Sequence, residues 1–173
     1  MVTVRAETAE DIPAVRLVNE LAFGQPNEAD LVDALRAAAH PHISLVAASE
    51  GRVVGHIFFS PVTLEAVADE GEDSASLILG LAPMAVLPEY QRRGIGSRLV
   101  REGLKECRRI GCDVVVVVGH PEYYPRFGFV PASLKGLRCE YPVPDEVFMV
   151  AELKPNALTG RGLVKYRPEF GGV

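Results

Sequence analysis

Hydrophobic residues recur along the chain at two spacings, the alternation of β-strands and the three-to-four-residue spacing of amphipathic helices. Residues Val2–Arg5 alternate as a short first strand. Thr8, with Asp11 three residues later, is typical of a helix cap. The first predicted helix ends near Phe23–Gly24, and its buried face consists of Ile12, Val15, Val18 and Ala22, flanked by Leu17 and Leu21. A second helix is predicted to begin at an Asn27 cap and to bury Leu31, Val32, Leu35 and Ala38.

Two segments rich in apolar and β-branched residues follow, Ile43–Ser49 and Arg52–Leu64. Only Glu50-Gly51 separates them, which is hairpin distance, so an antiparallel pair is predicted. The segment Ala66–Ser76 is acidic and rich in small residues, and we interpret it as a solvated loop. A fourth strand is predicted from about Leu77 to Leu87.

A third helix and a fully apolar strand complete a βαβ unit. The helix buries Ile95, Leu99, Val100, Leu104 and Cys107. Gly111 is suited to end it. Val114–Val118 is an uninterrupted valine run, typical of a strand covered on both faces and paired in parallel with the strand before the helix. The crossover is expected to be right-handed.

The carboxyl-terminal third is predicted to contain shorter elements. These are a short helix or turn over Pro121–Phe127, a strand beginning at Gly128, a strand over Asp145–Leu153 and an edge strand over Leu163–Tyr166. No repeat or linker divides the chain. We therefore expect a single α/β domain spanning residues 1–173, with its core over about 2–153 and a tail over 154–173.

Composition narrows the class of protein. The 173 residues are 48% hydrophobic and 24% charged, as in an ordinary globular protein, and the net charge of −5 disfavours a nucleic-acid binder. No segment has the length and apolarity of a membrane span, and the amino terminus lacks a signal-peptide pattern. The three cysteines are an odd number without paired spacing, which is typical of a reducing compartment. A cytoplasmic location is expected.

The turn before the third helix carries the strongest chemical signal, Gln91-Arg92-Arg93-Gly94-Ile95-Gly96. A glycine-rich turn that opens a helix offers backbone N–H groups and the positive end of the helix dipole to an anion. Arg92 and Arg93 add charged donors. The spacing fits neither a dinucleotide fingerprint nor a Walker loop. We therefore predict a site for a pyrophosphate-containing cofactor.

Two longer segments resemble the motifs of the GNAT N-acetyltransferase superfamily. Met84–Gly96 resembles its acetyl-CoA motif, and His120–Phe129 resembles its second motif, a tyrosine four residues before Gly-Phe. Gly55–Val62 and Leu79–Pro83 are similar to a bacterial branch of the YhbS type. The resemblance covers roughly Val2 to Leu153, and it implies a mixed, mostly antiparallel sheet with a splayed parallel pair formed by the fourth and fifth strands.

The resemblance also implies a cofactor, acetyl-CoA, and residues that would hold it. Pro83 lies inside a predicted central strand, where its missing N–H predicts a bulge. The pantetheine arm would enter there and pair with the backbone of Met84, Ala85 and Val86. The N–H of Val86 or Ala85 would face the thioester oxygen. The pyrophosphate would lie on Gln91, Arg92, Arg93, Gly94, Ile95, Gly96 and Ser97.

Tyr124 occupies the position of the family's general acid, since a tyrosine hydroxyl can protonate a departing thiolate. The alternative is a packing tyrosine that supports Gly128-Phe129. The general base stays open between Glu28, Glu89, His56 and a chain of waters. His40 and His42 lack accompanying ligands, so no metal site is predicted.

The function implied is direct transfer of an acetyl group from acetyl-CoA to a primary amine of a small molecule or peptide. No nucleic-acid or membrane partner is expected, and a homodimer is possible. Two alternatives stay open: a non-catalytic acyl-CoA-binding module, and an acyltransferase with another acyl chain or a hydroxyl acceptor. The acidic loop from Asp69 to Asp73 has two interpretations, attraction of a cationic acceptor or a solvated loop without a ligand.

Overall fold

The computed structural model describes residues 1–66, 77–158 and 160–172, which form three α-helices and ten strands. The helices are α1 (Ile12–Phe23), α2 (Asn27–Ala38) and α3 (Ile95–Arg109). The strands are β1 (Val2–Ala6), β2 (Ile43–Ser49), β3 (Arg52–Pro61), β4 (Thr63–Ala66), β5 (Ile78–Val86), β6 (Val114–Val118), β7 (Val130–Pro131), β8 (Leu137–Cys139), β9 (Phe148–Glu152) and β10 (Gly162–Lys165). The chain forms two compact units, and β5 contributes residues to both.

The first unit contains residues 1–60, 82–106 and the carboxyl terminus from Pro168. Its strands β1, β2 and β3 are antiparallel neighbours, and β3 is followed in the sheet by β5. The predicted hairpin is confirmed, because Glu50 and Gly51 connect β2 to β3 with φ angles of 51° and 77°. Two consecutive left-handed residues match the twist of a two-residue hairpin turn.

Helix α3 packs closely on β3 in this unit because two glycines remove side chains from the contact. A Cβ at Gly103 would lie 2.4 Å from Cε1 of Phe59. A Cβ at Gly55 would lie 3.1 Å from Cδ1 of Leu99 and 3.2 Å from Cγ2 of Ile95. The predicted buried face of α3 is confirmed in full, since Ile95, Leu99, Val100, Leu104 and Cys107 are all buried.

Several boundaries and burial assignments in the first unit differ from the prediction. The cap of α2 is Pro26, and Asn27 is already its first helical residue. Ala38 is exposed, and Leu17 and Leu21 on α1 are 50% and 49% exposed. The apolar stripe of each helix is therefore narrower than its sequence indicates, because only the side turned to the core is covered.

The second unit contains residues 61–81 and 107–167 and is organised around the valine strand β6. As predicted, β6 is parallel to β5, with Ile78–Gly80 opposite Val114–Val116. Its other edge pairs antiparallel with β9, and β9 pairs with β7. A second sheet has the strand order β4-β10-β8. Val114, Val116, Phe148 and Val150 belong to one buried cluster with residues of both sheets, including Leu137 and Val164.

The prediction was wrong in three places in the second unit. The strand predicted over Arg52–Leu64 ends at Pro61, and Thr63–Ala66 forms the separate strand β4. Strand β10, predicted as an edge strand, is the middle strand of its sheet. Asp145–Val147 is a 3-10 helix, so β9 begins only at Phe148. The predicted acidic loop lies almost entirely outside the described residues.

Candidate active site

The end of β5 leads through a short, tightly bonded turn into α3. The N–H of Leu87 donates to the carbonyl of Val54 at 2.9 Å, which fixes the end of β5 to β3. The side-chain amide of Gln91 donates to the carbonyl of Val86 at 3.0 Å. Met84 and Val86 are half-buried and Ala85 is buried. The residues predicted to bind the cofactor, Met84–Val86 and Gln91–Ser97, therefore all lie in the first unit, at the end of β5, in the turn and at the start of α3.

The backbone of this turn takes the left-handed conformation at Arg92 (φ 65°) and again at Gly94 (φ 81°). The positive φ at position 94 costs little energy, because glycine has no Cβ. A Cβ at Gly94 would meet no heavy atom within 4 Å, so the space beside it is open. Alternating backbone conformations of this kind turn successive N–H groups toward one concavity, which suits an anion.

Helix α3 begins with donors that its own carbonyls do not use. Its first backbone bond runs from the N–H of Arg98 to the carbonyl of Gly94, at 3.1 Å. The N–H groups of Ile95 and Gly96 precede that bond and lie at the positive end of the helix dipole. The side chain of Ile95 is buried against Gly55. This contact anchors the helix start, while Gly96 and Ser97 remain half-buried.

The arginines near the turn differ in what they contact. Arg92 and Arg93 are exposed, and the guanidinium of Arg93 lies 5.1 Å from the centre of the Tyr90 ring. Arg98 donates to the carbonyl of Val2 and so holds α3 to β1. Two cations are therefore presented to solvent at the turn, and a third has a structural contact.

Tyr124 lies in the second unit, at the start of the 3-10 helix Tyr124–Phe127. It is 7% exposed and surrounded by rings, with the centre of Phe129 at 5.6 Å and that of Tyr123 at 5.0 Å, both edge-on. Burial and the neighbouring Tyr123 raise the pKa of Tyr124 to about 12. Its hydroxyl is therefore protonated at neutral pH, as a proton donor requires.

Gly119 is a residue that sequence reasoning missed. It follows β6 directly, and its N–H donates to the carbonyl of Val147 at 2.9 Å. The ring of Tyr124 lies over it, where a Cβ would be 2.3 Å from Cε2. The sequence offers one signal, a glycine between a buried strand and the second motif. Only glycine permits this approach of the Tyr124 ring.

His56, one of the candidates for a general base, is completely buried on β3 in the first unit. Its Nδ1 accepts from the side-chain amide of Asn19 at 3.2 Å, and its Nε2 lies 2.8 Å from the hydroxyl of Ser44. The same amide donates to the carbonyl of Val15 at 3.0 Å, which fixes its orientation. Nε2 therefore carries the proton and donates to Ser44.

Burial, with the charge of Arg36 as a smaller cause, lowers the pKa of His56 to about 3. The imidazole is neutral at physiological pH but has no access to solvent, so its role is structural. The other candidates are more open: Glu28 is half-buried and accepts from the Gln25 amide at 3.0 Å, and Glu89 is exposed. Of the two histidines His40 and His42, His42 has structural contacts: it is hydrogen-bonded to the carbonyl of Ala39 at 2.7 Å and its ring stacks on Phe58.

The sequence profile of the Acetyltransferase (GNAT) family matches residues 12–129, more than half of the chain. The range includes the glycine-rich turn and Tyr124. Taken with the fold and the turn at the start of α3, this match places the chain in the GNAT acetyltransferase family, a family of acyltransferases. Among the described residues, no helix is long and apolar enough to cross a membrane.

Three relatives show how far the similarity extends. YjhQ of Escherichia coli strain K12, an uncharacterised N-acetyltransferase, is 44% identical over 158 residues, covering 87% of this chain and 84% of YjhQ. The crystal structure of YhbS from Escherichia coli in complex with CoA is 35% identical, with a TM-score of 0.86, covering 98% of this chain and 92% of that one. A Brucella melitensis GNAT acetyltransferase crystallised with acetyl-CoA is also 35% identical, with a TM-score of 0.76 and 98% coverage of both chains.

Proposed function

We propose that this protein transfers an acetyl group from acetyl-CoA directly to a primary amine of a small molecule or peptide, with Tyr124 as general acid. The observation that carries the proposal is the turn between β5 and α3. Its backbone is left-handed at Arg92 and Gly94, and the space beside Gly94 is open. Such a turn at a helix start suits a pyrophosphate.

The residues of the turn fit the cofactor in both shape and charge. Backbone N–H groups of Ile95 and Gly96 would receive the pyrophosphate oxygens, and the exposed Arg92 and Arg93 would neutralise its charge. In this proposal Gln91 holds the turn through its hydrogen bond to the carbonyl of Val86. Ser97 would contact the phosphates from the first turn of α3. The CoA and acetyl-CoA bound to the two structural relatives support acetyl-CoA as the cosubstrate.

We assign the binding of the pantetheine arm of acetyl-CoA to the end of β5. Met84 and Val86 are half-buried on either side of the buried Ala85, so one face of this part of the strand is more accessible than the other. Their backbone groups would pair with the amides of the arm, while the N–H of Val86 or Ala85 stabilises charge on the thioester oxygen. The predicted bulge at Pro83 stays a prediction.

Acetyl-CoA supplies the thioester, whose acetyl carbon bonds to the amine nitrogen as its bond to sulfur breaks. The Tyr124 hydroxyl donates a proton to the departing sulfur. Since its pKa is raised to about 12, this donor is present throughout the physiological range. An amine with a pKa of about 10 must first lose a proton. Because His56 is inaccessible, Glu28, Glu89 or water would accept that proton.

We further propose that the chain acts as one acetyltransferase domain, with its core over residues 2–153 and a tail over 154–173. The net charge of −5 favours a small amine or peptide over a nucleic acid as acceptor. A homodimer is compatible with this function and is tested by the mass of the protein in solution.

The test is CoA thiol release from acetyl-CoA, measured with a panel of primary amines and peptides. Wild type is expected to release thiol with at least one amine, and Tyr124→Phe is expected to be slow with that amine. Acetyl-CoA binding without release across a broad panel supports the acyl-CoA-binding module instead. Release only with a longer acyl chain, or only with a hydroxyl acceptor, supports the other acyltransferase.

A further inference from the structure

Helix α3 ends in a turn that brings two cysteines together. The N–H of Gly111 donates to the carbonyl of Arg108 at 3.1 Å, and the N–H of Cys112 donates to the carbonyl of Cys107 at 2.9 Å. Gly111 is left-handed, with a φ of 85°. These features define a Schellman motif, in which the first and last residues of the bonded turn usually make an apolar contact. Here both positions are cysteine.

The two thiols form a short chain of hydrogen bonds. Cys107 is hydrogen-bonded to the Cys112 sulfur and lowers the pKa of the Cys112 thiol. The Cys112 Sγ in turn donates to the carbonyl of Val114 at 3.1 Å. Cys107 is fully buried and Cys112 is 4% exposed. The two sulfurs therefore lie next to each other in a buried site, and the lowered pKa makes Cys112 the thiol that is favoured to react first.

Backbone geometry permits a bond between them. A disulfide needs Cα atoms within about 7 Å of one another, with the side chains directed together. The main-chain hydrogen bond between Cys107 and Cys112 holds the two backbones close together. The hydrogen bond between their thiols means that the side chains are directed toward each other. Both residues belong to the second unit, with Cys107 in the last turns of α3 and Cys112 in the connection between α3 and β6.

We infer that Cys107 and Cys112 are a peroxide-reactive dithiol that closes to an intramolecular disulfide on oxidation and reopens on reduction. The Cys112 thiolate attacks one peroxide oxygen, the O–O bond breaks, and a sulfenic acid and one water form. The Cys107 sulfur then attacks the Cys112 sulfur, the S–O bond breaks, and a second water leaves with the remaining proton. In total, two thiols lose two electrons and one hydrogen peroxide becomes two waters.

Cys139 provides an internal control. It lies on β8, it is half-buried, and burial raises the pKa of its thiol. Less of it is therefore thiolate at neutral pH, and its reaction with peroxide is expected to be slower than that of Cys112. The three cysteines of the chain thus divide into one reactive pair and one slow thiol.

The test treats the reduced full-length protein with hydrogen peroxide, alkylates the remaining thiols under denaturing conditions and maps tryptic peptides without reduction. Because trypsin cleaves after lysine and arginine, a Cys107–Cys112 bond joins the peptide Glu106–Arg108 to Ile110–Arg126. The expected result is that joined species, two hydrogen atoms lighter than the sum of its parts, with Cys139 alkylated. Dithiothreitol is expected to restore both peptides.

Two outcomes overturn the inference. The first is that Cys107 and Cys112 are still free thiols, and are therefore alkylated, when peroxide has already modified Cys139. The second is that both are converted to sulfinic or sulfonic acid without a cross-link. Cys139→Ser is expected to cross-link as wild type does. Cys112→Ser is expected to give no joined peptide and to leave Cys107 at least tenfold slower to oxidise than Cys112 in wild type. Since the mapping itself is done on wild type, a poorly folded variant does not decide the result.

Discussion

The ring of Tyr124 lies against the backbone of Gly119, so closely that a Cβ at residue 119 would stand 2.3 Å from Cε2 and 2.9 Å from Cδ2. Gly119 is in turn hydrogen-bonded to the carbonyl of Val147, beside the start of β9. The position of the proposed acid is therefore set by a glycine at the end of the valine strand. Substitutions at Gly119 and Tyr124 can test this contact.

Gly119→Ala is expected to lower the free energy of unfolding by about 1–3 kcal/mol, because the added methyl group must displace a buried ring. Tyr124→Ala in the same chain removes the clash, so the two costs should be less than additive. Urea denaturation of the four proteins of the cycle measures this. Gly160→Ala is the matched control, since nothing lies within 4 Å of its Cβ position. Strict additivity of the Gly119 and Tyr124 effects would contradict the contact.

Tyr124→Phe removes only the hydroxyl and keeps the edge-on packing against Phe129. We expect kcat to fall by about 10²–10⁴, the usual contribution of a positioned proton donor, while the Kd for acetyl-CoA is unchanged. Steady-state kinetics and calorimetry separate the two effects. Tyr123→Phe, which alters the adjacent ring, is expected to retain most of its activity. Equal activity of Tyr124→Phe and wild type would leave Tyr124 as a packing residue.

The pH dependence of the reaction follows from the raised pKa of Tyr124. An acid with a pKa of about 12 loses its proton only as the pH approaches that value. Wild-type kcat is therefore expected to rise with pH as the acceptor amine deprotonates and to show no decline between pH 7 and pH 10, about two units below that pKa. Rate measurements across this range check it. A decline in wild type that is absent in Tyr124→Phe would show that the hydroxyl titrates far lower.

The buried His56 predicts a loss of stability in mild acid. Its pKa is about 3 in the folded protein and about 6.5 in the unfolded chain. Above pH 6.5 both states are neutral; below it only the unfolded state binds a proton, so the free energy of unfolding falls as pH falls toward 3. The slope is about 1.4 kcal/mol per pH unit. Denaturation from pH 7 to pH 4 should show a shallower decline for His56→Gln, and parallel declines would contradict the assignment.

Gly94→Ala tests the turn itself. At a φ of 81° the added Cβ strains the backbone and also projects into the open space proposed for the pyrophosphate. Gly51→Ala is a matched control in the β2–β3 hairpin, with a φ of 77° and equally open surroundings. Both are expected to cost about 1 kcal/mol of stability. Only Gly94→Ala should weaken acetyl-CoA binding, by tenfold or more in calorimetry; equal affinities of the two variants would remove the phosphate assignment.

The elements that the sequence predicted well are those with a long and regular pattern. Helix α3 shows its whole buried face because five apolar positions recur at helical spacing over thirteen residues, from Ile95 to Cys107. The run Val114–Val118 indicates a covered strand because it contains no polar position; Val114–Val117 are buried as predicted, whereas Val118 at the end of the strand is 43% exposed. The turn at Gly94 could be predicted because the residues that define its chemistry, Gln91–Gly96, are consecutive in the sequence.

The features that could not be predicted depend on residues far apart in the chain. The buried imidazole of His56 is hydrogen-bonded to Asn19, which is 37 residues away, and to Ser44. The contact of Gly119 with Tyr124 depends on the path of the chain after β6. Leu17 and Leu21 are apolar yet exposed, because tertiary packing decides which flank of a helix is covered.

The central claim is that the turn from Gln91 to Ser97 binds acetyl-CoA, and calorimetric titration of the wild-type protein with acetyl-CoA tests it most directly. We predict a saturable heat with one site per chain and a Kd between about 1 μM and 1 mM, the range of most enzyme KM values. The absence of any binding heat at millimolar acetyl-CoA, with protein shown to be folded, would contradict the account.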